Sequence, residues 1–478
     1  MAGRDERYGP MKPLRCFKTY DVRGRVGDEL NEEIAERIGR AFGQQLSARR
    51  VAVGRDPRPS SPGLAGAIIE GLRRAGTEVL DIGLAGTEEV YFAVFSQDLD
   101  GGLAVTGSHN PLVDNGIKFI SQGARPLAEK DFLYLRTFAE SCGCGLASAR
   151  GGLRPADFKA KYIEHLLANV DHSKLPALRV LVNPGHGAAG PVLGLLEQAL
   201  AAQGAQIEFI KIGWEPDGTF PLGLPNPLLP ENRAYTAEAV RAHQADLGLA
   251  WDGDFDRCFF FDEKGEFIEG YYLVGLLADA FLEKNPGAAI IHDPRLTWNT
   301  IDIVERAGGR AIAARTGHAF MKEKMRSVGA VYGGEMSAHH YFASFAYCDS
   351  GMIPWLLLLE LIGRKGKSLA ALVGERQALF PCSGELNFKV ADGSALLTAI
   401  ETFYGSQAVK VEQLDGLSVE MSEWRFNLRP SNTEPLIRLN LESRGRPELV
   451  LEKTAELKAM ISPFQCDDPT DLDFSGPD

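Results

Sequence analysis

Apolar and polar positions along the chain repeat one pattern three times: a short β-branched strand, an Asx-Pro turn, an amphipathic helix, a glycine and a second strand. The first copy runs from VAVGRDP, turning at Asp56-Pro57, through AGAIIEGLRRAG to Gly76 and EVLDIG. The second runs from VLVNP, turning at Asn183-Pro184, through LGLLEQALAAQG to Gly204 and IEFIKIG. The third runs from AIIHDP, turning at Asp293-Pro294, through a helix ending at Gly308 to RAIAARTG. Strand, helix and strand in alternation is the grammar of α/β domains. The punctuation agrees: proline suits a helix's first turn, where its missing N–H has no partner, and glycine suits the exit, where the left-handed region is cheap only for it. The turns recur at the spacing of whole domains, not of solenoid repeats.

From about Gly384 the pattern changes to GELNFKV, LSVEMSEWRFNL and LIRLNLES, closing with the helical ELVLEKTAELKAMI, which predicts an α+β domain of another type. The expected organisation is therefore three related α/β domains with mixed sheets over residues 1–157, 158–266 and 267–380, and an α+β domain over 381–465. Residues 466–478, CDDPTDLDFSGPD, are rich in Asp and offer little to bury, so a disordered tail is expected there.

Composition narrows the function. With 45% hydrophobic and 24% charged residues the chain of 478 reads as an ordinary folded protein. A net charge of −13 argues against a nucleic-acid surface, so an anionic ligand needs a locally basic pocket. Apolar runs such as Trp355 to Leu359 stop at Glu360, far short of the ~20 residues of a membrane span. The N-terminus is charged where an export signal would be apolar, which makes the cytoplasm the expected location. Seven scattered cysteines form no disulfide framework and read as reduced thiols.

Four loops carry candidate chemistry. TGSHNP, Thr106 to Pro111, follows an apolar run, and its Ser108 needs a neighbour to take its proton; His109 and Lys118 are the nearby candidates. The surroundings do not form G-x-S-x-G, which removes support for a hydrolase elbow. DGDFDR places Asp252, Asp254 and Asp256 at alternate positions between two strand-like runs, and such carboxylates repel strongly unless a cation joins them. Oxygen-only ligands suit Mg²⁺ or Ca²⁺. An EF-hand is the competitor, since Glu263 falls at the twelfth position, but Arg257 stands where its sharp turn needs Gly and the flanks are not helical. In GEMSAHH an extended chain would turn Glu335, Ser337 and His339 to one side, a set suited to sugar hydroxyls, which both donate and accept. RPSNTEP offers Arg429 with Ser431, Asn432 and Thr433, a concentration of donors that matches a phosphate. Tyr20 and Arg23 in KTYDVRG and His318 in RTGHAF are further polar positions at loop ends.

Read in order, YDVRG, TGSHNP, DGDFDR, TGHAF, GEMSAHH and RPSNTEP resemble the signature loops of the α-D-phosphohexomutase superfamily over essentially the whole chain. GLPNPLLPEN and the stretch from GEMSAHHYF to AYCDSGMIPWLL are similar to its bacterial phosphomannomutase branch, which supplies GDP-mannose. The resemblance implies four domains around a central cleft, the last of them mobile. It implies Ser108 as a phosphoserine, with Asp252, Asp254 and Asp256 holding Mg²⁺ together with a phosphoserine oxygen. Glu335, Ser337 and His339 would hold the sugar, and Arg429, Ser431, Asn432 and Thr433 the phosphate that is not transferred. Tyr20, Arg23 and Arg257 would line the cleft, with His109, Lys118 and His318 as proton carriers. The implied reaction interconverts mannose 1-phosphate and mannose 6-phosphate through a hexose 1,6-bisphosphate, which also serves as activator; glucose or dual specificity is the alternative. The implied partners are sugar phosphates alone, with a monomer expected and a dimer as the alternative. Two positions depart from the family: Ala338 stands where many members have Gly, and Arg295 where many have Lys.

Overall fold

The computed structural model describes residues 13–141, 149–430 and 436–465. The tail at 466–478 and Ser431, Asn432 and Thr433 lie outside the described residues. Two compact units form: one from the described residues within Met1–Phe267 together with Ser337–Ser368, the other from those within Ile268–Met336 and Leu369–Asp478.

In the first unit β1 (Val22–Arg25), β2 (Arg50–Arg55), β3 (Glu78–Leu84), β4 (Gly101–Val105) and β5 (Asp114–Ser121) belong to one mixed sheet. Helix α1 (Ser61–Arg74) joins β2 to β3, and α2 (Thr87–Ser96) joins β3 to β4. Strand β2 is central, with β3 and β4 parallel to it on either side, and β5 returns antiparallel to β4. The second repeat has the same order. Its β6 (Leu178–Asn183) is followed by α3 (Ala189–Ala202) and β7 (Ile207–Lys211), then β8 (Leu247–Trp251) and β9 (Cys258–Phe261). Strand β6 is flanked in parallel by β7 and β8, and β9 is antiparallel to β8. In the second unit β10 (Ala289–His292), α4 (Trp298–Arg306), β11 (Arg310–Ala313) and β12 (Tyr332–Gly334) repeat it again, with β11 and β12 parallel to β10 on its two sides. All three strand-helix-strand readings therefore hold. Strand order differs from chain order because the crossovers through α1 and α2 run in opposite directions across the sheet, so α1 packs on one face with Val51, Val53 and Leu103 and α2 on the other with Ala52 and Leu80.

The last domain is an antiparallel sheet of β13 (Cys382–Lys389), β14 (Lys410–Glu412), β15 (Leu417–Glu420), β16 (Trp424–Pro430) and β17 (Leu436–Ser443), with α5 (Gly393–Tyr404) and α6 (Pro447–Ile461). Leu396, Ile400, Phe426, Leu428, Leu439, Leu441 and Leu457 form its core. Within the second unit this domain is tied to the third repeat. Glu442, fully buried, pairs with Arg425 at 2.9 Å and accepts from the Thr297 N–H at 2.7 Å, while Arg425 donates to the carbonyls of Arg295 and Pro294 at 2.9 and 3.0 Å. A buried ion pair therefore crosses the seam between the last domain and the third repeat.

Among the described residues Cys16, Cys258, Cys348 and Cys382 are free, and no helix is long and apolar enough to cross a membrane.

Candidate active site

The strand order has a consequence for chemistry: the loop leaving the third strand of each repeat holds one of the candidate motifs. TGSHNP leaves β4, DGDFDR joins β8 to β9, and GEMSAHH leaves β12. Each loop contains one non-glycine residue in the left-handed region, Ser108 at φ 47°, Phe255 at 46° and Ala338 at 69°. Such strain of about 1–3 kcal/mol persists only where surrounding structure imposes it.

Around Ser108 the imposing group is the first Asx-Pro turn. Asp56 accepts from the Arg58 N–H and the Gly107 N–H, both at 3.0 Å. The fully buried Arg58 guanidinium then donates to four loop carbonyls, of Ser108 (3.1 Å), Asn110 (2.6 Å), Pro111 (2.8 Å) and Asp114 (3.1 Å). The third repeat uses the same device. Asp293 accepts from the Arg295 N–H at 3.0 Å and from the N–H of Met336, the second residue of its loop, at 2.7 Å.

Ser108 Oγ lies 2.8 Å from Asp252 Oδ2 and 3.0 Å from His109 Nδ1. The serine and acidic loops touch so closely that a Cβ on Gly253 would meet Ser108 O at 2.5 Å. His109 Nδ1 also faces Arg257 Nη2. A guanidinium only donates, so that nitrogen presents its lone pair to Arg257, and the Ser108 proton points to Asp252. Burial, reinforced by Arg257, holds the His109 imidazole well below its ordinary range and therefore neutral. Arg257 closes the acidic loop on Asp252 through Nε at 3.0 Å and Nη2 at 2.8 Å.

Lys118, on β5, reaches Asp254 Oδ2 at 2.7 Å and Asp256 Oδ2 at 2.5 Å. Burial would depress the lysine, but those two carboxylates outweigh it and keep the ammonium charged above its ordinary range. Lys118 is thus locked as a cation in this arrangement. Burial pushes Asp252 up to about 6, while for Asp254 burial is outweighed by Lys118, which holds the carboxyl well below the usual carboxylate range. Asp252, Asp254 and Asp256 offer oxygens within 4.8 Å of one another, and all three are buried. Asp254 Oδ1 and Asp256 Oδ1 are buried with no hydrogen-bond partner. Orphaned hard oxygens among three buried carboxylates fit a divalent cation. The flanking β8 and β9 exclude the helices an EF-hand needs.

The GEMSAHH loop corrects one expectation. The strand ends at Gly334 and residues 335–339 turn, with Ala338 left-handed, so the two-residue alternation expected for Glu335, Ser337 and His339 does not apply. Glu335 accepts from the Gly317 N–H at 2.7 Å, and His339 Nδ1 lies 3.0 Å from Asp349 Oδ2. The cost of burying His339 is outweighed by Asp256 and Asp349, which raise its affinity for a proton. In the second unit Arg429, at the end of β16, pairs with Asp415 at 3.4 Å and meets Thr316 Oγ1, and His318 opens the helix that follows Gly317. Arg23, on β1, pairs with Asp21 at 2.9 Å and approaches Asn110 at 3.5 Å, and Tyr20 lies just before that strand.

The structure thus brings Ser108, His109, Lys118, the three aspartates and Arg257 into one constellation. Sequence reading missed Thr87, Arg58, Asp349 and Asp415. Only Arg58 had a signal, the Asp-Pro-Arg triplet that recurs at Asp293-Pro294-Arg295.

Comparison with known proteins matches four successive stretches of the chain. Residues 14–137, 160–265 and 269–380 match the phosphoglucomutase/phosphomannomutase α/β/α domains I, II and III, and residues 385–459 match the C-terminal domain of that family. A phosphomannomutase of Salmonella montevideo is 54% identical over 95% of this chain and 100% of its own. Phosphohexose mutases of Xanthomonas campestris pv. campestris are 53% identical over 94% of this chain and 99% of theirs. The crystal structure of a phosphoglucomutase/phosphomannomutase family protein from Burkholderia thailandensis is 30% identical, covers 95% of this chain and 99% of its own, and superposes with a TM-score of 0.84.

Proposed function

Because this chain belongs to the phosphoglucomutase/phosphomannomutase family, we propose that it moves a phosphoryl group between the two ends of a hexose through Ser108. The chain is a mutase and interconverts mannose 1-phosphate and mannose 6-phosphate. The observation that carries the serine route is the placement of Ser108 Oγ 2.8 Å from a three-carboxylate loop.

In this reading phosphorylated Ser108 gives its phosphoryl to O6 of mannose 1-phosphate; the serine O–P bond breaks as the O6–P bond forms, and the O6 proton leaves to a base. The resulting hexose 1,6-bisphosphate turns over and returns the phosphoryl on C1 to Ser108. The bisphosphate released early would act as activator. Asp252, Asp254 and Asp256 would hold Mg²⁺, which supplies positive charge to the phosphoryl oxygens. Lys118 and Arg257 orient those carboxylates and add positive charge. His109, Lys118 and His318 are the candidates to move the O6 proton; His109 is neutral but turns its Nδ1 lone pair to Arg257, so it could take a proton only once Arg257 lets go, and a charged Lys118 can only give one. Glu335, Ser337 and His339 would hold the sugar, Tyr20 and Arg23 would contact its phosphate end, and Arg429 with Ser431, Asn432 and Thr433 would grip the resting phosphate. We place the reaction in the cytoplasm, carried out by a monomer and feeding GDP-mannose synthesis.

Intact-mass measurement on freshly purified protein tests the route. The parent should carry one phosphoryl that Ser108→Ala lacks, and Ser108→Ala should bind sugar phosphate but lose nearly all turnover. Full turnover in that variant rejects the serine. Rates on mannose 1-phosphate and glucose 1-phosphate, measured separately, should favour mannose; equal rates would establish dual specificity.

A further inference from the structure

Helix α2 opens with Gly86-Thr87-Glu88-Glu89, and its first turn lies on the acidic loop. Thr87 is 1% exposed. Its hydroxyl donates to Asp254 Oδ2 at 2.5 Å, and its N–H donates to the Asp254 carbonyl at 3.1 Å. Lys118 occupies the same Oδ2 at 2.7 Å, while Oδ1 has no hydrogen-bond partner. The carboxylate is thus held by one oxygen, and the other is left buried without a hydrogen-bond partner. Gly86 makes the approach close: a Cβ there would stand 2.2 Å from the ring of Phe255, the strained residue of the acidic loop. The turn is itself fixed, because Glu89 accepts from the Gly86 N–H at 2.9 Å and pairs with Lys159 at 2.8 Å.

We propose that Thr87 is a positioning residue of the metal loop: with Lys118 it occupies Asp254 Oδ2 and so presents Oδ1 to a divalent cation. A buried carboxylate oxygen without a donor costs about 1–3 kcal/mol, and a fold has no reason to enforce that orientation unless a ligand satisfies the oxygen. Lys118 alone does not fix the carboxylate, since it also serves Asp256 and sits on a flexible stem. Thr87 supplies the rigid second point, a β-branched side chain on a helix with few rotamers. Neighbours of this kind typically set metal affinity by about 10–100-fold. The inference rests on the reading of the aspartate loop as a divalent-cation site.

Direct cation binding tests it without reference to turnover. Mn²⁺ binding to the parent, Thr87→Val, Thr87→Ala, Thr87→Ser and Asp254→Asn is measured by electron paramagnetic resonance of free ion, with Mg²⁺ competition and thermal melts alongside. Both variants without the hydroxyl should bind about 10–100-fold more weakly, Thr87→Ser should stay near the parent, and Asp254→Asn should lose most binding. A structural role alone would lower the melting temperature and leave affinity in place. Parental affinity in Thr87→Val and Thr87→Ala, with binding lost in Asp254→Asn, overturns the role of Thr87 and leaves the site standing. Parental affinity in Asp254→Asn removes the site itself.

Discussion

Arg58 has no part in bond making, yet the serine loop depends on it. Its guanidinium reaches four carbonyls of that loop and shares Asp56 with the Gly107 N–H. Burial lowers the arginine's affinity for its proton and raises that of Asp56, so each needs the other. Arg58→Met should cost about 3–5 kcal/mol in urea unfolding, because a buried carboxylate loses its counter-ion. Arg58→Lys keeps the charge but not the planar fork. It should recover part of the stability while turnover stays depressed, and recovery of both would mean that charge alone shapes the loop. Ala338 shows the same point from the other side. It adopts a left-handed conformation that favours glycine although it carries a Cβ.

At the scale of the element, the first turn of α2 carries more than its sequence suggests. GTEEVYF reads as a capped helix start, and the cap forms between Gly86 and Glu89. What the turn touches is set by packing: Thr87 meets Asp254 and Gly86 meets the ring of Phe255. Gly86→Ala should therefore act at a distance from its own helix. Displacing a buried aromatic ring costs about 1–3 kcal/mol, and the shift should reach the acidic loop. The expected result is a lower melting temperature together with weaker Mn²⁺ binding. Unchanged binding with lowered stability would show that the ring moves without the loop.

Across the first unit, Glu88 links parts of the chain that are remote in sequence. It is fully buried and takes hydrogen bonds from the Ser350 hydroxyl and, at 3.2 Å, from the Gly351 N–H. Ser350 in turn caps the helix Ile353–Lys365 by accepting from the N–H groups of Met352 and Ile353 at 3.1 Å. Burial pushes the Glu88 carboxyl well above its ordinary value of 4.5. A carboxyl raised in the folded state stabilises fully below its unfolded pKa, and that contribution is lost as pH rises through the folded-state value. Glu88→Gln, which stays neutral, should therefore lose less stability between acidic and alkaline pH than the parent. Parallel melting curves over that range for the two proteins would show that Glu88 does not titrate with unfolding.

Much of this was legible before any coordinates. The three strand-turn-helix copies stand where Asp56-Pro57, Asn183-Pro184 and Asp293-Pro294 punctuate them, because strand alternation, helix period and cap chemistry operate within a few residues. Ser108 and the three aspartates were visible because nucleophile and metal chemistry restrict residue types in short loops. The turn at 335–339 was not legible, since a left-handed residue other than glycine leaves no compositional mark.

Chain chemistry alone determined the domain grammar and which side chains are the candidates for the reaction. The tertiary structure decided which oxygens of Asp254 and Asp256 are without a hydrogen-bond partner, which histidine nitrogen faces a guanidinium, and which helix braces the acidic loop. Thr87 and Asp254 are 167 residues apart, and Glu88 and Ser350 are 262 apart. Such contacts follow from the order of strands in a sheet and the packing of one repeat on another, which local periodicity does not encode.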